Sequence, residues 1–194
     1  MSKWSKQIAK VGLAVAVVAM TSSLASAQIN SGAQSITLNA ALAESLSISL
    51  SGNAVNFTLT GGSATNAGDT SITSTTSWVL KPGRTQVNLY AYFGSATAAL
   101  VHQDPANTTD IPSSAVEISV NGGAASAVST NAASAVGFGA AGAGLQLFNQ
   151  AITGLNKTAS RNDTMDFNIN LSSLSQLPAD SYVGTLNIQA QAIN

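Results

Sequence analysis

The one histidine of the chain, His102, stands in "LVHQDPANTTD" with Asp104 and Asp110 close behind it. A Ser-His-Asp arrangement would need that imidazole as base and an exposed serine as nucleophile. No G-x-S-x-G elbow occurs anywhere in the sequence to present one. Asp104, Asp110 and Asn107 carry the oxygens a calcium cage would use, but their spacing matches no standard loop. Asp104-Pro105 reads equally as a turn start. The eight acids are scattered, so they offer no evident pair for glycoside hydrolysis. There is no cysteine. The glycines sit in turn-like or low-complexity stretches, away from any strand–loop–helix phosphate motif. The residues therefore point to a protein that is no enzyme and needs neither cofactor nor metal. One binding chemistry stands out. Tyr90 and Tyr92 in "TQVNLYAYF" share a face of a strand and could stack on a sugar ring. The same spacing suits the outer cover of a strand near a sheet centre.

The elements that must carry these residues alternate with period two. Ile36, Leu38, Ala40 and Leu42 are interleaved with Thr37, Asn39 and Ala41. Leu46, Ile48 and Leu50 alternate with serines, and Val55, Phe57 and Leu59 with Asn56 and Thr58. Met165, Phe167, Ile169 and Leu171 alternate with Asp166, Asn168 and Asn170. Such a pattern marks half-buried strands, and serine and threonine on the wet face suit a strand better than a helix. "SITSTTSWVL" and "TQVNLYAYF" flank "KPGR", whose proline and glycine suit a tight turn, so a hairpin is expected there. Residues 121–144 are Gly/Ala-rich and read as a long surface loop holding one short strand; Asn156 to Asp163 reads as a polar turn. About eight to ten short strands predict an all-β, antiparallel β-sandwich. Trp78, Leu80, Val87, Leu89, Phe167, Ile169, Leu186 and Ile188 should be buried in it.

The N-terminus assigns a compartment. "MSKWSKQIAK" is basic, "VGLAVAVVAM" is apolar, and Ala25-Ser26-Ala27 is small. That is the order of a secretory signal peptide, residues 1–27, and residues 28–194 then form one secreted domain. The apolar run is shorter than the ~20 residues of a spanning helix, so no membrane span is expected after cleavage. Three lysines leave with the signal peptide. The four basic residues that remain stand against eight acids, a net charge of −4. Without a basic patch, nucleic acid is not expected as a partner. The expected location is the bacterial periplasm, outer surface or extracellular space.

The sequence closes on "LPADSYVGTLNIQAQAIN". Tyr182, Gly184, Leu186 and Ile188 fall on one face of an extended chain, and Val183, Thr185 and Asn187 on the other. Neither the strand from Tyr182 to Ala192 nor Ile36–Leu42 carries a charge or proline to guard a free edge. Pairing of the two segments inside one molecule predicts a monomer. Pairing between molecules is a heterologous contact that does not close, and so predicts a fibre.

"QSITLNAALAESLSISLSG" after a signal peptide, a cysteine-free β domain and a closing strand that opens Tyr182-Val183-Gly184 together resemble the alpha class of chaperone–usher fimbrial subunits. The resemblance implies an immunoglobulin-like sandwich that lacks one strand, completed by the N-terminal extension of the next subunit. It also implies a periplasmic chaperone as a partner. Two functions are then expected as alternatives: an exported surface or structural subunit that self-assembles by strand complementation, or a monomeric or cell-surface module that binds a glycan through Tyr90 and Tyr92.

Overall fold

The computed structural model describes residues 31–194. The expected signal peptide, residues 1–27, lies outside the described residues. The chain divides after Ala41, and Leu42–Asn194 is the folded sandwich. Its ten strands are β1 (Ser45–Leu50), β2 (Ile72–Val79), β3 (Gln86–Tyr92), β4 (Val101–His102), β5 (Val116–Val120), β6 (Ser126–Ala127), β7 (Gly144–Ala151), β8 (Thr158–Ile169), β9 (Tyr182–Val183) and β10 (Asn187–Ile193). Two short 3₁₀ turns, Ser113–Ala115 and Ser134–Val136, are the only helical segments among the described residues. The all-β antiparallel sandwich expected from the alternation is what the chain forms.

One sheet has the order β1-β2-β8-β5-β6 and the other the order β10-β3-β7; β4 and β9 make a small third ladder. Between the two main sheets lie three apolar clusters. Trp78, Leu80, Val87, Leu89 and Phe148 fill one end. Ile72, Ala91, Phe93, Val116, Ile118, Val128 and Met165 fill the middle. Ile111, Ala115, Ile169 and Leu171 fill the other end.

Several local expectations change. "KPGR" makes the tight turn its residues require, with Gly83 at φ 99°. It closes no hairpin, however. β2 and β3 belong to different sheets, so the turn is an arch across the sandwich edge. Turn chemistry fixes the reversal of the backbone but not which sheet receives the chain. Asn156 to Asp163 is mostly strand: β8 begins at Thr158. Its polar residues tolerate the core face because they pair. Asp163, 1% exposed, accepts from Arg161 Nε at 2.8 Å and from Asn121 Nδ2 at 2.7 Å. The Arg161 guanidinium lies 4.4 Å over the Phe148 ring. A buried polar group is costly unless it is hydrogen-bonded in this way. Val55–Leu59 forms no regular strand, only a bridge from Phe57 to Gly68. Ile36–Leu42 is not a strand either. Trp78, Leu80, Val87, Leu89 and Ile169 are buried as expected. Phe167, Leu186 and Ile188 are only half-buried, for a reason that lies in the sandwich edge.

Candidate functional site

β10 pairs with β3 along seven residues, from Asn187↔Tyr92 to Ile193↔Gln86. Its other edge has no strand beside it among the described residues. β1, the edge of the facing sheet, pairs only with β2 among the described residues. At the end marked by Ser45, Val79, Gln86 and Ile193, these two free edges are closed over the core. There Leu46 and Ile48 pack with Ala190 and Ala192 against Trp78 and Val87. Beyond Leu50 the edges are separated by a groove of about 930 Å³. Val55, Phe57 and Leu59 form one wall, and Leu177, Tyr182, Leu186 and Ile188 the other. Ile72, Phe93, Met165, Ile169 and Leu171 form its floor. This groove is why Phe167, Leu186 and Ile188 are only half covered: Phe167 lines it as well.

The strand order explains where the groove lies. An immunoglobulin constant-type sandwich places strands A-B-E-D in one sheet and C-F-G in the other. Here β1-β2-β8-β5 follow A-B-E-D, while β3 and β10 take the places of C and F. β7 is an addition on the far side of β3. The place of G, beyond β10, is held by no described strand, and there Val55, Phe57, Phe167, Leu186 and Ile188 stay only half-buried.

The Tyr-x-Gly element builds the wall of the groove. Tyr182 Oη donates to Pro178 O at 2.8 Å and accepts from Asn107 Nδ2 at 3.0 Å. A tyrosine at the start of strand F that bonds back to the upstream backbone is a recurring corner of immunoglobulin-like sandwiches. Gly184 lies directly against the backbone of Ala99 and Leu100. A Cβ there would stand 2.9 Å from Ala99 C and 3.1 Å from Leu100 Cα, and would overlap the Ala99 carbonyl oxygen. Only glycine fits without moving the chain. Gly184→Ala is therefore expected to lower stability by about 1–3 kcal/mol through overpacking. Urea denaturation should show the loss, and an unchanged midpoint would contradict this close approach.

Asp180 ties the same wall to the loop after β4. It accepts from Asn107 Nδ2 at 2.9 Å and from the backbone N–H groups of Asp104 and Gln103 at 3.1 and 3.2 Å. The Asn107 amide first, and then these backbone donors, hold its pKa below the usual 3.8. His102 donates its backbone N–H to Asp110 Oδ1 at 3.1 Å, and its Nδ1 lies 2.7 Å from the same oxygen. These two contacts lower the Asp110 pKa as well. Both carboxylates thus bind protons less readily folded than unfolded. Their contribution is complete above the unfolded pKa and is lost as pH falls through the lower folded one. The melting temperature should decline below about pH 3.8, and Asp180→Asn should flatten that decline while lowering the neutral-pH value. Equal acid slopes in the two proteins would show that Asp180 takes no part.

The other candidate residues are placed as follows. His102 is held by Asp110, and Asp104 Oδ1 accepts from the N–H of Ala106 within its own turn. Asn107 faces Asp180 and Tyr182 through its amide nitrogen and accepts from Thr109 N–H through Oδ1. The oxygens considered for calcium therefore serve the loop itself. Of the two tyrosines, Tyr90 is buried and Tyr92 half-buried. Tyr90 is 4% exposed, its ring met edge-on by Phe138 at 5.9 Å, and Phe138 stacks on Tyr92 at 5.8 Å. The Gly/Ala-rich segment 121–144 brings Phe138 there because Gly139, at φ 65°, lets the chain lie against Tyr92 and Phe93. Of the proposed strand-pairing residues, Tyr182, Gly184, Leu186 and Ile188 all line the groove. Ile36, Leu38 and Leu42 are 85, 89 and 83% exposed, and Ala40 is exposed too. The groove residues Val55, Phe57 and Leu59 were visible as an alternating segment, but nothing in the alternation shows that their strand position lacks a partner.

The described residues thus form an antiparallel β-sandwich with an apolar groove beside the free edge of β10. Compared with known protein families, curated proteins and solved structures, the chain finds no match.

Proposed function

We propose that the protein is a non-catalytic subunit of an exported bacterial surface polymer, in which the segment Ile36–Leu42 of one copy fills the groove of the next. The observation that carries this reading is the open apolar groove beside the free edge of β10, at the place of the seventh strand. The occupant is argued from the chain itself. Ile36, Leu38 and Leu42 are large apolar side chains left almost wholly exposed. With Ala40 between Leu38 and Leu42 they fall at every second residue, about 6.6 Å apart when extended, which is the spacing a strand presents to a sandwich core. An added strand would satisfy the N–H and C=O groups of the β10 edge and cover the half-buried walls of the groove, Val55, Phe57, Leu59, Leu186 and Ile188, at once.

The polarity supports a head-to-tail chain. Leu42–Glu44 enters the sandwich at its closed end, next to Ser45 and Ile193, whereas the groove extends beyond Leu50. The root of the donor, Leu42–Glu44, and the groove thus lie at different ends of the sandwich, and a heterologous contact between copies grows open-ended. A periplasmic chaperone that covers the groove before assembly belongs to the same reading. The test is size-exclusion chromatography and negative-stain microscopy of the natively exported protein. Fibres that disappear on deletion of residues 28–42 are the expected result. A stable monomer at all concentrations, with or without that deletion, would refute the reading.

A further inference from the structure

The arch between β2 and β3 carries a junction that stability alone does not explain. Arg84 extends a two-pronged contact to Glu44, with Nε at 2.8 Å from Oε1 and an Nη at 3.3 Å from Oε2. Its other Nη reaches Ala192 O at 3.3 Å and Asn194 Oδ1 at 3.2 Å. The neighbouring N–H of Thr85 donates to Ile193 O at 2.9 Å. Lys157 Nζ donates to Arg84 O at 3.0 Å, and Lys81 Nζ stands 3.9 Å from Glu44. One guanidinium therefore gathers the root of the N-terminal segment and the end of β10. Arg84 and Glu44 are each about a quarter exposed. Rim ion pairs of this kind contribute little to folding stability. What a planar, forked guanidinium supplies is a fixed geometry.

That geometry matters at this position. Glu44 is held on its own sandwich. In the assembled state proposed above, Leu42 is buried in the neighbour's groove. Ala43 is then the single residue between the two rigid bodies. We infer that Arg84 and Glu44 form the clamp that fixes the direction in which the donor segment leaves its subunit, and thereby the stiffness of the polymer. Without the clamp, the pivot extends from Ala43 into the start of β1, and each joint gains rotational freedom. This inference rests on the assembly reading, but the clamp itself can be measured without a fibre.

Two arms test it. The chain has no cysteine, so spin labels can be placed uniquely at Ala43→Cys and Ser160→Cys. In the monomeric protein the distance distribution between them should be narrow, and at least about twofold broader with Arg84→Ala or Glu44→Gln. Equal widths would overturn the clamp whatever the protein assembles into. In the second arm, persistence length is read from micrographs of fibres. Arg84→Ala and Glu44→Gln fibres should be several-fold more flexible, with the subunit melting temperature nearly unchanged. The charge-swapped double variant Glu44→Arg, Arg84→Glu should recover part of the stiffness. Wild-type fibres should soften when salt rises to about 1 M, where the screening length shrinks to about 3 Å, and Arg84→Ala fibres should not. Fibres equally stiff in all variants would overturn the role in the polymer. Absence of wild-type fibres together with a narrow, Arg84-dependent distribution would locate the failure in the assembly reading instead.

Discussion

Leu38→Asp is expected to abolish fibre formation while leaving the sandwich as stable as before. Leu38 is 89% exposed in the single chain, so the substitution removes no packing there. Surface changes of that kind usually stay within ~0.5 kcal/mol. In the neighbour's groove the same position would face a floor of Ile72, Phe93 and Met165. No cation is among the residues that line it. An aspartate there loses the transfer energy of a leucine and must be neutralised or left unpaired. A loss of at least about 3 kcal/mol, more than 100-fold in affinity, is the expected scale. Thermal melting and sedimentation of the variant check the two halves separately. Normal fibres would show that Leu38 never enters a groove, and a large fall in melting temperature would show that it is already buried in its own chain.

The second large effect is rescue by peptide. A variant beginning at Glu44 keeps the whole sandwich and the groove but lacks the donor. A peptide of residues 34–43, supplied at ~100 times its dissociation constant, should stabilise that variant by about 2.7 kcal/mol. For a domain of this size that corresponds to a rise of about 5–10 °C in melting temperature. The same peptide with Leu38→Asp should give none. Calorimetry at several peptide concentrations distinguishes specific filling, which saturates, from general adsorption to exposed apolar surface. Absence of any shift at high peptide concentration would remove the groove as a strand acceptor.

The residues disclosed the strands more readily than their neighbours. Period-two alternation marked β1, the face of Met165 to Leu171 and the closing strand, because each buries one face against a core. It could not show that the segment Val55–Leu59 forms no regular strand, or that β10 has no described strand on its outer edge. A strand that awaits its neighbour carries the same apolar spacing as one that has it. The "KPGR" turn was legible as a turn, since Gly83 needs positive φ. Its destination in the opposite sheet depends on long-range packing of Trp78 and Val87, which no local signal encodes. Alternation left two readings of Tyr90 open, because it separates two faces without saying what covers the outer one. Phe138 covers it from a segment whose composition suggested nothing beyond a loop. The polar run Thr158–Asp163 was hidden for a related reason. Arg161 and Asp163 occupy core-facing positions only because they satisfy one another. Gly184 was the most informative single residue. Its place two positions after Tyr182 reflects a backbone contact that excludes any Cβ.

The most direct measurement of strand exchange between copies is photo-crosslinking from position 38. A photoreactive residue at Leu38 is irradiated in fibres assembled from a mixture of isotopically light and heavy subunits. Mass spectrometry then identifies the attached peptides. The expected result is attachment to Val55–Leu59 or to Leu186–Ile188, with mixed light–heavy pairs showing that donor and acceptor are different molecules. Attachment confined to the same copy, or to surfaces away from the groove, would contradict it.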